Sequence, residues 1–397
     1  MADDLFADAA SWGFETRAIR AGQPHDPTSG AVVTPISLAT TFVQEDVGVH
    51  RGYEYSRTGN PTRAALQACL ASLEGAAHGL AFASGMAAED TLLRTLSPGD
   101  HIVLGDDAYG GTYRLISAVL APMGIEWSAV DLTDPTALAT AMRPETKVVW
   151  AETPTNPLLT VVDLTAIAEV THAGGAILVV DNTFATPYLQ QPISHGADVV
   201  VHSTTKYCGG HSDVVGGFLA LDDDELAERL AYLQNAIGAV GSPFDNYLTL
   251  RGLKTLAVRM DRHCENATDI ADFLERRDEV TEVLYPGLPN HPGHAAAARQ
   301  MKRFGGMVSF RLRAGKAAAM RFAASTRVFS LAESLGAVES LIEHPGAMTH
   351  ASAAGSPLEV PADLIRLSVG IESIDDLIGD LTDAFDRLST RSVGADR

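Results

Sequence analysis

The chain has 397 residues, 46% of them hydrophobic and 20% charged, which suits a soluble globular protein with room for two domains. Its formal net charge of −21 repels nucleic acid and anionic membrane surfaces, and so argues against both as partners. No window approaches the roughly 20 consecutive apolar residues of a membrane-spanning helix, and Cys69, Cys208 and Cys264 stand too far apart for a disulfide framework or a metal knuckle.

Met1–Ala10 is acidic, with no basic stretch leading into an apolar one, so a cytoplasmic location with reduced thiols is expected. Residues 1–60 are rich in Gly, Pro and Thr and read as an extended arm or a series of loops. Pro61–Glu74 is an amphipathic stretch with proline at a first helical position and Gly75 just past its end, which predicts a helix. Short apolar runs then recur between helix-length segments: His101–Leu104, Ile125–Val130, Lys147–Trp150, Ile177–Val180, Val199–Val201 and Gly217–Leu221. That alternation predicts right-handed crossovers and a mostly parallel sheet. In such sheets ligands gather beyond the carboxyl ends of the strands.

Three segments fall at those ends. Asp181 follows one strand, Ser203, Thr205 and Lys206 follow another, and Glu152–Pro157 follows a third. Ser84-Gly85-Met86 joins the apolar Leu80–Ala83 to a helix-like segment, where backbone amides at the helix start can hold an anion. Tyr55 and Arg57 on the arm add phosphate-type donors that could reach a neighbouring subunit. An amine, an acid and a hydroxyl pair at the edge of one sheet are the parts a pyridoxal-phosphate enzyme needs. The lysine forms a Schiff base, the carboxylate keeps the pyridine nitrogen protonated, and the hydroxyls bind phosphate.

Asp222–Glu225 opens a helix whose positive end its charges suit. A long helical pattern over about Gly252–Arg277 leads to a part mixing strands (Gly306–Arg313, Arg366–Val369) with helices (Lys316–Ser325, Ile374–Leu388). Tyr285–Gly293 and Met348–Pro361 read as long loops. Taken alone, Asp181 could be a helix N-cap, Ser84 a simple cap and Cys208 a small packing residue. His202, His211 and Asp213 lack the spacing of a metal motif, and no metal is expected.

Several stretches resemble the cysteine/methionine metabolism family of pyridoxal-phosphate enzymes, in the branch that holds cystathionine γ-synthase and cystathionine γ-lyase. They are Tyr55–Arg63, Ala83–Ala88, Asp107–Thr112, Glu152–Pro157, Asp181–Phe184, Ser203–Tyr207, Gly209–Val214, Tyr285–Pro289, Leu331–Gly336, Met348–His350 and Ile365–Gly370. The resemblance implies an α/β fold of fold-type I, aspartate aminotransferase-like. It would have a mostly parallel cofactor-binding domain (61–252), a smaller α+β C-terminal domain (253–397), and an arm (1–60) given to a neighbour in a homotetramer.

The resemblance also implies roles. Lys206 would carry the cofactor and shuttle protons, with Tyr109 as its acid–base partner. Tyr55, Arg57, Gly85, Met86, Tyr109, Asp181, Thr183, Ser203 and Thr205 would bind pyridoxal 5'-phosphate. Arg366 would clamp a small amino-acid substrate with Asn156 and Ser334, while Arg114 and Glu333 meet its distal end. The implied activity is γ-replacement, an activated homoserine ester plus cysteine giving cystathionine, with γ-lyase action on cystathionine as the alternative. Methionine γ-lyase and homoserine sulfhydrylase come after these; the methionine γ-lyase branch usually has an apolar residue at the place of Glu333 and a cysteine at that of Gly111.

Overall fold

The computed structural model describes residues 11–350, 355 and 358–392. The acidic start at Met1–Ala10, and part of the loop expected over Met348–Pro361, lie outside the described residues. Seven strands form the first sheet: β1 (His78–Phe82), β2 (His101–Gly105), β3 (Glu126–Val130), β4 (Thr146–Glu152), β5 (Ile177–Asp181), β6 (Val199–Ser203) and β7 (Gly217–Leu221). Their spatial order is β1-β7-β6-β5-β4-β2-β3. The contiguous run β6-β5-β4-β2-β3 is parallel, and β7 runs antiparallel to both of its neighbours, β1 and β6. The expected mostly parallel α/β architecture is therefore present.

The central strands carry continuous apolar runs, Val148–Ala151, Ile177–Val180 and Val199–Val201, because both faces are covered. Val149, Ala151, Leu178, Val180 and Val200 pack into one core, which the Pro61–Glu74 and Leu164–Ala173 helices help to fill. Val148, Trp150, Val179, Val199 and Val201 pack into the opposite one, with the Gly85–Leu93 and Asp224–Ile237 helices. The Pro61–Glu74 helix has the predicted bounds: the Asn60 side chain accepts hydrogen bonds from the Thr62 and Arg63 amides, and Gly75 ends it at φ 75°.

A second sheet follows, made of β8 (Val280–Leu284), β9 (Met307–Leu312), β10 (Ser330–Leu331), β11 (Leu341–Glu343) and β12 (Leu364–Ser368) in the order β10-β11-β12-β9-β8. The strands expected near 306–313 and 366–369 are its centre. The helix expected over about Gly252–Arg277 is Leu256–Glu275, set off from a preceding helix, Pro243–Leu253. The break is held by Arg259, whose guanidinium donates to the Gly252 and Tyr207 carbonyls at 2.9 and 2.8 Å. Among the described residues no helix is long and apolar enough to cross a membrane.

β7 lies hard against the turn that starts the Gly85–Leu93 helix. A methyl group at Gly217 would sit 2.0 Å from the Ser84 carbonyl oxygen. Gly217→Ala should therefore cost about 1–3 kcal/mol of overpacking strain, seen as a lower denaturation midpoint. An unchanged midpoint would show that the two segments separate freely.

Candidate active site

The carboxyl ends of β4, β5 and β6 open onto a cavity of about 280 Å³. Its wall includes Gly85, Met86, Tyr109, Asn156, Asp181, Thr183, Ser203, Thr205, Lys206, Glu333, Ser334 and Arg366. Twelve of the residues singled out from the sequence thus meet in one place.

Lys206 stands in the turn after β6, and its amine donates to the Ser334 hydroxyl at 2.8 Å. Burial, then the Arg366 charge, lowers its pKa to about 8, against the opposing pull of Glu343 and Glu333. A fraction of the amine is therefore uncharged, and nucleophilic, near neutral pH.

Asp181 ends β5. Its Oδ1 accepts from the Thr183 amide at 2.9 Å, which makes it the head of a local turn and not a helix N-cap, because the next helix begins only at Thr186. The Thr183 hydroxyl accepts from the Ser203 amide at 2.9 Å and so ties the ends of β5 and β6 together. Burial raises the Asp181 pKa, while hydrogen bonds from Thr183 and the nearby His202 oppose the rise.

The Gly85–Leu93 helix points its first amides into the cavity region, and Ser84 caps it by accepting from the Ala87 amide at 3.0 Å. A Cβ at Gly85 would come within 3.1 Å of the Ser203 Cβ, so glycine lets the helix start meet the end of β6. The Thr205 hydroxyl accepts from the Gly216 amide at 3.1 Å. Unpaired helix-start amides beside two hydroxyls form an anion site.

Tyr109 caps a short helix, Gly110–Arg114, and its amide donates to Glu152 Oε2 at 2.8 Å. Burial raises the phenol pKa, and Arg114 counters part of the shift. The ring folds back over Gly111. A Cβ there would lie 2.3 Å from Tyr109 Cε1 and 3.0 Å from the Met86 sulfur.

Arg366 lies on β12 and is 2% exposed. Its guanidinium donates to Asn156 Oδ1 at 2.7 Å and to the Ser334 carbonyl at 2.8 Å, and it pairs with Glu343 at 2.9 Å. Ser334 takes a left-handed backbone conformation, φ 89°, to present both its hydroxyl and its carbonyl.

Of the residues assigned to cofactor or substrate, Tyr55, Arg57 and Arg114 are not on the cavity wall. Tyr55 is half exposed, with the Arg57 guanidinium over its ring, and Arg57 donates to the Asn235 carbonyl at 2.6 Å. Arg114 sits outside the lining, on the helix that Tyr109 starts. His202 is paired with the buried Glu74, and His211 Nδ1 donates to the Gly209 carbonyl at 2.8 Å, so both histidines have structural partners. Cys208 is buried with its thiol pushed up to about 12, which favours the packing role.

Glu89, Phe184, Leu335 and Thr349 complete the wall without having been singled out. Glu89 falls one helical turn beyond Gly85–Met86, which is the signal that could have found it. Burial and then the Asp181 charge raise its pKa to about 8, although Thr112 opposes. Glu152 is raised well above its ordinary value, by burial and then by Asp181.

The family model for Cys/Met metabolism PLP-dependent enzymes matches residues 15–386. The cystathionine gamma-synthase of Mycobacterium tuberculosis is 60% identical over 386 residues, 97% of this chain and 100% of the relative. The cystathionine gamma-lyase of Dictyostelium discoideum is 51% identical, covering 94% of this chain and 97% of the relative. Among solved structures, cystathionine gamma synthase from Xanthomonas oryzae pv. oryzae, in complex with aminoacrylate and cysteine, superposes with a TM-score of 0.92. It is 48% identical, over 96% of this chain and 99% of that one.

A carboxyl group that is protonated in the fold but ionised when unfolded makes stability fall as pH rises between its two pKa values. For Glu89 that window runs from about 4.5 to about 8. Glu89→Gln removes the loss, so thermal unfolding of the cofactor-free protein should show the variant gaining on wild type across that window. Parallel curves would contradict a buried neutral Glu89.

Proposed function

We propose that this chain, which belongs to the Cys/Met metabolism family of PLP-dependent enzymes, replaces the γ-substituent of O-succinyl- or O-acetyl-homoserine with cysteine to give cystathionine. The observation that carries this reading is the single cavity on which Lys206, Asp181, the Gly85–Met86 helix start and Arg366 converge.

The donor set fits pyridoxal 5'-phosphate. Asp181 is a buried carboxyl whose ionised form needs a cationic partner, and a protonated pyridine nitrogen is one. Gly85 and Met86 amides with the Ser203 and Thr205 hydroxyls would hold the phosphate, and Thr183 would hold Asp181 in place. When bound, the cofactor supplies an aldehyde for imine exchange and an electron-withdrawing ring next to the substrate Cα.

The chain's own residues do the rest. Lys206, with its depressed pKa, takes a proton from Cα and moves protons between the substrate carbons. Tyr109 accepts a proton from the incoming amine or gives one to the leaving group. Arg366 orients the α-carboxylate with Asn156 and Ser334. Glu333 and Arg114 meet the distal part of the substrate. The Cγ–O bond of the ester breaks and releases succinate or acetate, and the cysteine sulfur bonds to Cγ, with its thiol proton passing to the enzyme's acid–base groups.

The same residues serve γ-elimination, in which cystathionine yields cysteine, 2-oxobutanoate and ammonia; the 51% identical γ-lyase favours this as the second reading. Glu333 and Gly111 make methionine γ-lyase activity a poorer fit. Tyr55 and Arg57, turned away from their own cavity, belong in our reading to the phosphate site of a neighbouring copy in a homotetramer. Three buried, unpaired cysteines suit the cytoplasm.

Purified protein offered O-succinyl- or O-acetyl-homoserine with cysteine should form cystathionine faster than it releases keto acid from cystathionine. The reverse ranking would replace the first reading by the second. Lys206→Ala should fold, lose the covalent attachment of the cofactor that borohydride fixes in wild type, and lose turnover by several orders of magnitude. Mixing Tyr55→Phe with Lys206→Ala protomers should restore part of the activity, whereas additive loss would place Tyr55 outside any shared site.

A further inference from the structure

Behind the cavity, a buried chain of amides joins the strand ends that frame it. Side chains alternate in direction along an extended backbone. Asp181 and Ser203 face the cavity, while their neighbours Asn182 and His202 are absent from its wall and at most 1% exposed. The Glu74 carboxylate, which ends the Pro61–Glu74 helix, accepts from His202 Nε2 and, at 3.0 Å, from Asn182 Nδ2. Asn182 Oδ1 accepts from Gln190 Nε2 at 3.0 Å, and the same nitrogen donates to the Thr153 carbonyl at 3.0 Å. Gln190 Oε1 in turn accepts from Gln300 Nε2 at 3.0 Å. Gln300 ends the His294–Gln300 helix; it donates to the Val162 carbonyl at 2.9 Å and accepts from the Leu164 amide at 3.2 Å.

Donor counting fixes the orientation of all three amides. The second Asn182 hydrogen goes to the Gln190 carbonyl at 2.9 Å. Asn182, Gln190 and Gln300 therefore each use both hydrogens and the side-chain oxygen, and turning any one over would set donor against donor. A buried network satisfied in this way is stiff and has one arrangement. Gln190 stands at its centre. On one side it holds Asn182, the neighbour of Asp181, and on the other it holds Thr153, three residues before Asn156. Asn156 is the side chain that accepts from Arg366.

We propose that Gln190 is a positioning residue that, buttressed by Gln300, fixes the spacing between the cofactor held at Asp181 and the α-carboxylate clamp built on Asn156 and Arg366. This rests on the cofactor and the amino-acid substrate assigned above. Gln190 touches neither of them; it acts through Asn182 and Thr153. Spacing is worth such a device because a misplacement of about 1 Å can cost on the order of 100-fold in rate.

The test measures binding without turnover. Gln190→Met keeps the length and bulk of the side chain and removes its three side-chain hydrogen bonds. Pyridoxal 5'-phosphate added to the cofactor-free variant should bind within about threefold of wild type, since its proposed donors are untouched. Glycine and glycinamide are then titrated against the absorbance of the cofactor-loaded proteins. Wild type should prefer glycine. In Gln190→Met glycine should weaken roughly 10-fold and its amide hardly at all, as expected when a charge-assisted contact is misaligned. A purely structural role would lower the unfolding midpoint and leave this preference unchanged. Gln300→Met withdraws only the buttress and should reduce the preference by a smaller factor; it decides the question if Gln190→Met does not fold.

An unchanged preference for glycine in the variants that fold would overturn the proposal and leave the functional reading intact. A Gln190→Met protein that no longer holds the cofactor would also overturn it, because the network would then serve the cofactor site and not the spacing. A wild-type spectrum indifferent to glycine would overturn the functional reading itself, and the proposal with it.

Discussion

The hydrogen bond from the Lys206 amine to the Ser334 hydroxyl is the contact on which the site depends. Lys206 follows β6 in the seven-stranded sheet, and Ser334 lies between β10 and β11 of the second. Their meeting makes a buried chamber out of what would otherwise be an open sheet edge. Burial is then what sets the chemistry: it depresses the amine and raises the carboxyls around it. Three acids, Asp181, Glu152 and Glu89, face this chamber, and not all can be charged at once. The chain spends stability on such crowding where a ligand of opposite charge can relieve it.

Much of this was legible in the sequence because it was local. The strands with two covered faces carry unbroken apolar runs, and the Pro61–Glu74 helix is punctuated by Asn60, Pro61 and Gly75. Residues at strand ends share an edge once a parallel sheet is accepted, which brings Asp181, Ser203 and Lys206 together. β8, β10 and β11 carry no periodic signal: β10 is two exposed residues, β11 is three residues long, and β8 has no fully buried residue. The long helix expected from about Gly252 begins at Leu256, and nothing in the apolar pattern marks the stop of the preceding helix at Leu253. That stop depends on Arg259 reaching back to the loop after Lys206.

What could not be read was partnership across distance. Glu343 sits in an ordinary-looking run, and only its register opposite Arg366 gives it meaning. Glu89 looks like one more acidic residue on a helix until Asp181 is seen beyond it. Cys208 invited attention by lying two residues from Lys206, yet the backbone turns it into the core, away from the cavity.

Gly111 carries a consequence for how such a protein can change. The Tyr109 ring and the Met86 thioether both occupy the space where any larger side chain would begin. Point mutation at this codon therefore cannot proceed by small adjustments. A descendant that acquires bulk there inherits, in a single step, a re-aimed phenol and a disturbed helix start, so divergence of the chemistry through this position comes as a jump between lineages and not as a drift within one.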